Sequence, residues 1–584
     1  MDFEQTLQLN LQNDAGRPAT LEMDYVGCCI LHENLGEWEA LADDLRQIES
    51  MRRQQSGDAS ADYVMTPKWE LFYWATLHVG RREVAAAQPL IDRFMAEVTD
   101  AEAVACGEWL QAWALRAQER YRECIGWVDA LPTDFEEPAR FYRAAAAFER
   151  AAAALWTEHV DWRAQIEPHI RFHMQIGAKH YLLRWRLLLA LACYEKARSD
   201  SEADAVWRKH VRFVHAALTR YGYERLLNRR EPELAGRFWA LCLAEDIASE
   251  RALSALQELG RITPISDLLI ARSLDDPSRQ RRLIMALAAI GKEEAIPLLD
   301  ELAQSGWEKS VAVAIDQALK HLEALPPPTL HVKLLGAFAL QRGDAPVADE
   351  TWQRPGVRRL FLYFCLHHGE PLTRAQILED LWPANDQPSA LAAFRTAYSR
   401  LRAVLEPHLR KRTTMRYFAV TGDSYIFDPQ RTLAIIDSER LVDTVRSALR
   451  QGAALEDTQL NELLAALAVW DAPLVGVAYE SWAVHAVERL TERFADGCLL
   501  AAEQLLAQER LSDAVAWAEK GVVAAPWREE CWQTLIRSTA RQGQRSLALK
   551  HYERAVAALN AELGAPPSPE TIALADRLRR NEAI

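Results

Sequence analysis

The chain has 584 residues, 49% hydrophobic and 26% charged, the texture of a globular protein of about three to five domains. Its net charge of −15 argues against a polyanion binder taken as a whole. No run of ~18 apolar residues marks a membrane span, and nine cysteines without Cys-x-x-Cys spacing exclude a disulfide framework or zinc site, so a reducing cytoplasm is expected.

The opening MDFEQTLQLNLQND is acidic and lacks an apolar core, so it does not read as a signal peptide. Residues 1–250 read as helix after helix, with Trp, Leu and Ala at three- and four-residue spacing. Segments 69–95 and 106–131 each read as two helices joined by a polar turn. Leu77 and Leu115 lie 38 apart, near the ~34-residue tetratricopeptide unit, so degenerate repeats of that kind are expected over 1–250. The 19 tryptophans read mainly as the core of these pairs. The alternative is an aromatic-lined groove for a small-molecule or protein ligand. Cys28-Cys29 reads as helix packing. His169 and His173 share a helix face near Glu167 and His180, but without a third ligand they read as ordinary histidines, and no metal is expected.

Over 251–325 the repeat is clearer. Leu256, Leu259, Gly260, Ile265 and Leu268 recur as Leu287, Ile290, Gly291, Ile296 and Leu299, at an offset of 31 each time. This resembles HEAT-type helix pairs, which bury their apolar faces by stacking on neighbours. ALPPPT (324–329) then breaks the helical texture, and a proline-rich linker is placed at 326–329.

LHVKLLGAFAL (330–340) alternates and reads as a strand, with turn residues at Gly343-Asp344. Three helices follow, at about 355–368, 373–382 and 388–406. Thr373 is placed to cap the second, with Gln376 as its capping-box partner. Pro383 stops that helix, and either Ser389 or Asp386 is placed to cap the third. RYFAVTGDSYIFDP (416–429) reads as two strands joined at Gly422-Asp423. Residues 437–584 return to helix pairs. Segments 498–527 and 532–560 superpose at an offset of 34, with Leu506 on Ala540, Ala514 on Ala548 and Ala518 on Tyr552, which reads as two tetratricopeptide units. The expected fold is mainly α: an α-solenoid of tetratricopeptide-like and HEAT-like repeats carrying one small α+β winged helix-turn-helix domain.

Charge singles out that domain. Residues 330–430 hold 13 Lys+Arg and 10 Asp+Glu, or +3, which leaves −18 for the rest. Within 388–418, Arg395, Arg400, Arg402, Arg410, Lys411, Arg412 and Arg416 face only Glu406, or +6. A basic island in an acidic chain points to a phosphate-binding face. On the third helix, Phe394, Tyr398, Leu401 and Leu405 make one apolar stripe. The opposite side presents Arg395, Thr396, Ser399, Arg402 and Ala403, with Arg400 at a flank. Arginines and hydroxyls beside small residues suit a helix in a major groove.

LEDLWP (378–383), SRLRAVLEP (399–407) and GDSYIFDP (422–429) resemble the second helix, recognition helix and wing of an OmpR-type winged helix. ALAVWDAPLV (466–475), Glu480-Ser481-Trp482 and AELGAPPSPETIALADRL (561–578) resemble the bacterial transcriptional activator domain that follows such a module in antibiotic regulatory proteins. The likeness runs through residues 330–584. It implies that Arg395, Thr396, Ser399, Arg400 and Arg402 face the major groove of double-stranded DNA. It implies that Lys411, Arg412, Arg416, Thr421 and Tyr425 serve as backbone and wing contacts, and that the loop Ala384, Asn385, Asp386 and Gln387 engages RNA polymerase. Many family members carry Arg-Gly in the wing where this chain has Thr421-Gly422, which leaves Lys411, Arg412 and Arg416 as the phosphate contacts. Residues 1–325 faintly resemble the sensor halves of MalT-like regulators. Gly291-Lys292-Glu293 lacks a nucleotide-binding loop, so no ATP switch is expected.

The reading is a transcription activator on direct repeats, as a homodimer or tandem pair, with no catalytic residues and no cofactor. The rival is a helical-repeat scaffold that uses the winged helix for docking.

Overall fold

The computed structural model describes residues 18–55, 66–132, 139–157, 165–197, 204–270, 276–352, 355–411, 413–451, 455–582 and 584; Arg412 lies outside them. The chain divides into two compact units, residues 1–322 and 323–584.

The first unit holds only helices among its described residues. They are α1 (Pro18–Leu35), α2 (Trp38–Gln55), α3 (Pro67–Gly80), α4 (Val84–Glu97), α5 (Ala101–Ala117), α6 (Tyr121–Asp129) and α7 (Ala139–Ala154). Next come α8 (Glu167–Gln175), α9 (Lys179–Ala197), α10 (Asp204–Tyr221), α11 (Glu224–Arg230) and α12 (Pro232–Ala244). Then follow α13 (Ser249–Leu259), α14 (Thr263–Ile270), α15 (Pro277–Ile290), α16 (Ala295–Ala303) and α17 (Lys309–Ala324), whose last two residues belong to the second unit. Helices that are neighbours in sequence pack against one another and close aromatic cores. Trp109 and Trp113 stack with ring centroids 5.6 Å apart, in a core with Phe72, Ile91 and Phe94. The 31-residue offset has a backbone counterpart. Helices α13 and α15 both end on a left-handed glycine, Gly260 at φ +61° and Gly291 at φ +74°, where a side chain would be strained.

This unit also buries a charged cluster of which residue spacing carries no sign. Arg116 Nε donates to Glu149 at 2.5 Å and its Nη2 to Glu231 at 2.7 Å, while Arg184 Nη2 donates to Glu231 at 2.5 Å. All four side chains are buried. The histidines are packing residues. His169 stacks on Trp185 at 4.4 Å, and His173 is buried among Phe141, Phe172 and Tyr181. Burial lowers both pKa values to about 4, with His169 and Arg184 adding to the effect at His173. Among the described residues no group of His, Cys, Asp and Glu is placed to hold a metal ion. The nine cysteines are unbonded and buried. No described helix is long and apolar enough to cross a membrane.

The second unit opens with two small sheets around three helices. The expected single strand over 330–340 is two. β1 (Leu330–Lys333) and β2 (Ala339–Arg342) are antiparallel, separated by a turn in which Gly336 has φ +132°. β3 (Ala345–Pro346) extends this sheet at one side, and β7 (Ala434–Ile436) pairs parallel to β1 at the other. Between them in sequence lie α18 (Pro355–Leu366), β4 (Pro371–Thr373), α19 (Arg374–Leu381), α20 (Gln387–Leu405), β5 (Phe418–Thr421) and β6 (Ser424–Phe427). The last two form a hairpin, and β4 joins it as a third strand in the order β4-β6-β5.

The remaining helices are α21 (Asp437–Gln451), α22 (Asp457–Ala468), α23 (Ser481–Ala507), α24 (Leu511–Ala524), α25 (Glu529–Arg541), α26 (Arg545–Leu563) and α27 (Pro569–Arg579). The 34-residue offset again shows in the backbone. Glu509 and Gly543 both take positive φ in the turn between the two helices of each pair, and Ala514 and Ala548 are both fully buried where helices approach. These helices are tied to the sheets. Asp437 accepts the amides of Leu334 (2.7 Å) and Leu335 (3.1 Å), Leu474 N donates to Leu334 O at 2.9 Å, and Arg359 pairs with Glu480 at 2.5 Å.

Candidate nucleic-acid interface

Helices α19 and α20 form a helix-turn-helix pair. Thr373 Oγ1 accepts the amide of Gln376 at 3.3 Å and Gln376 Oε1 accepts that of Thr373 at 2.9 Å, a full capping box. Asp386 occupies the N-cap position of α20, and Pro388 lies in its first turn, where a missing N–H costs nothing. Ala390, Phe394, Ala397, Leu401 and Leu405 are buried. The Phe394 ring sits 5.6 Å from that of Tyr398 and 5.3 Å from that of Tyr425, so the hairpin and α20 share one aromatic core.

The opposite face is open. Ser389, Ala392, Arg395, Thr396, Ser399 and Ala403 are all exposed, and Arg400 is half-buried at the flank. Thr396 Oγ1 donates to Ala392 O at 2.9 Å, which leaves its lone pairs outward. Ser389, weighed from sequence only as a cap, belongs to this stripe. The 389, 392, 396, 399, 403 spacing carries that signal.

Three other expected contacts are built into the module instead. Arg402 turns back on the following loop. Its Nη1 donates to Lys411 O at 2.6 Å and its Nη2 to Arg410 O. Arg416 is drawn inward because Glu406, only 2% exposed, requires a counter-charge. Its Nε donates to Glu406 at 2.6 Å and its Nη1 to Leu325 O at 3.1 Å. Tyr425 packs its buried ring on Phe394 and Tyr398. Lys411 and Thr421 are exposed, and Arg412 lies outside the described residues. The hairpin tip is fixed by a residue that the sequence reading did not single out. Arg374 pairs with Asp423 at 2.5 Å, and its amide donates to Asp423 O at 2.8 Å.

Ala384, Asn385, Asp386 and Gln387 are exposed. Asn385 N donates to Trp382 O at 3.1 Å, and Gln387 is already the first residue of α20. At the rear of the module His368 is buried between two carboxylates, 2.8 Å from Glu439 and 3.0 Å from Asp428. Burial opposes its charge, but the two hydrogen bonds outweigh burial and raise its pKa.

Residues 436–579 match the bacterial transcriptional activator domain family. The regulatory protein AfsR of Streptomyces coelicolor is 28% identical over 225 residues, 38% of this chain and 22% of AfsR. The transcriptional regulator RedD of the same organism is 28% identical over 238 residues, 38% of this chain and 65% of RedD. The chain therefore spans less than two thirds of either relative. The structure of Mycobacterium tuberculosis EmbR in complex with a low affinity phosphopeptide aligns with 44% of this chain and 66% of EmbR, at 23% identity and a TM-score of 0.38. Over residues 436–579 the chain is similar to the bacterial transcriptional activator domain family.

Proposed function

We propose that the chain is a DNA-binding transcription regulator that lays α20 in the major groove and acts as an activator in the cytoplasm. The observation that carries this is the outward stripe of α20, where one long cation and three hydroxyls stand among small residues on a helix whose other face is packed in the core. In this reading Arg395 and Arg400 reach base edges or phosphates, Thr396 and Ser399 make short polar contacts, and Ala392 and Ala403 let the backbone approach. Lys411 and Thr421 contact the flanking backbone. The exposed loop 384–386 and Gln387 engage RNA polymerase. Residues 437–584 brace the module through Asp437 and Glu480.

The first unit serves as a sensor for a small molecule or protein partner. A cavity of about 370 Å³, lined by Val128, Arg140, Arg143, Ala147, His169 and Phe172 among others, supports that role. Binding to direct repeats uses two copies of the chain.

A gel-shift titration of the full chain against genomic fragments tests this reading. Retention of a discrete subset, weakened steeply by salt, is expected. Failure to retain any fragment, or retention of all alike, rejects sequence-specific recognition.

A further inference from the structure

One part of the basic island does not lie open. Glu323, at the C-terminal end of α17, closes on it. Arg410 Nε donates to Glu323 Oε1 at 2.6 Å and Arg410 Nη2 to Glu323 Oε2 at 2.6 Å. Thr413 Oγ1 donates to Glu323 Oε1 at 2.9 Å. Arg410 holds the Glu323 carboxyl below its ordinary range, with Thr413 adding to the effect. This is the fork geometry in which a guanidinium binds either a carboxylate or a phosphate, and one guanidinium edge holds one anion at a time. The loop that carries these donors is fixed against the end of α20 by Arg402, through the carbonyls of residues 410 and 411. It is therefore anchored beside the exposed stripe.

We propose that Arg410 Nε, Arg410 Nη2 and Thr413 Oγ1 form a phosphate site for the DNA backbone, which Glu323 fills with the chain's own carboxylate. While Glu323 holds these donors, a bound duplex does not reach them. The inference rests on the DNA-binding reading above. It adds to that reading an internal competitor that lowers affinity, and it makes the Glu323 pair a point of control.

The test uses the full chain, a fluorescent mixed-sequence duplex and anisotropy over a salt series. Glu323→Gln keeps the side-chain volume and removes the competing charge. It is expected to bind about three- to tenfold more tightly, with the slope of log affinity against log salt steeper by about 0.9, the value for one added phosphate contact. Adding Arg410→Ala to Glu323→Gln is expected to return both affinity and slope to the wild-type values. If wild type binds and Glu323→Gln leaves affinity and slope unchanged, or weakens binding, Glu323 is a structural brace and the proposal is overturned while the DNA-binding reading stands. If the double variant keeps the gain, the effect is net charge and the site is wrong. If neither wild type nor Glu323→Gln binds any duplex, both readings fall.

Discussion

Two arginines of one helix should fail in opposite ways. Arg395 is exposed on α20, whereas Arg402 donates to two backbone carbonyls of the 410–411 loop. A hydrogen bond from a charged donor contributes about 1.5–3 kcal/mol when well shielded. Arg402 is half-buried, so Arg402→Ala should cost about 1–2 kcal/mol of stability for both bonds together. Arg395→Ala should stay within about 0.5 kcal/mol of wild type, as expected for an exposed position. On DNA the order reverses. Arg395→Ala should lose about 1–3 kcal/mol against a selected duplex and relax discrimination at one base position. Arg402→Ala should weaken all duplexes alike by loosening the loop. Urea unfolding gives the first pair of numbers, and anisotropy against a panel of single-base variants gives the second. If Arg402→Ala is as stable as wild type and alters base preference, Arg402 reads the base and its assignment as a loop anchor is wrong.

The buried cluster of the first unit gives a second test. Glu231→Ala leaves the buried Arg116 and Arg184 to share Glu149 alone and should cost about 3–5 kcal/mol in urea unfolding, and a loss under about 1 kcal/mol would mean the cluster adds little. The pH dependence of the second unit should follow His368 and Asp428. The raised His368 pKa makes its contribution complete below pH 6.5 and lost as pH rises through the folded value, while the lowered Asp428 pKa makes its contribution complete above pH 3.8 and lost as pH falls. Urea midpoints should therefore decline on the alkaline side in wild type and flatten there in His368→Gln; an alkaline decline of equal size in the variant contradicts the assignment. Gly543→Ala should cost about 1 kcal/mol, because its φ of +81° strains any side chain, and thermal unfolding without a drop would count against the turn.

Local signals survived the passage from sequence to structure, and non-local ones did not. Thr373 and Gln376 lie three residues apart and need nothing else to cap α19. The glycines at offset 31 and the alanines at offset 34 repeat because each helix pair meets its neighbour in the same way. The strand over 330–340 was misread because Asp437, about a hundred residues on, takes the amides of Leu334 and Leu335 and bends the chain out of β1. β4 and β7 have three residues each, too few for any alternation to show. On the candidate face, helical spacing placed Arg395, Thr396 and Ser399 outward. The partners of Arg402, Arg410 and Arg416 are set by the path of the loop and the linker, and arginine spacing carries no sign of them.

The central claim is that the outward stripe of α20 lies in a major groove. Guanine N7 is exposed only there, so methylation interference on a genomic fragment bound by the full chain tests it most directly. Methylated guanines within the bound site should block wild type, and at least one should lose its effect in Arg395→Ala. Binding indifferent to N7 methylation throughout the site would place the helix elsewhere.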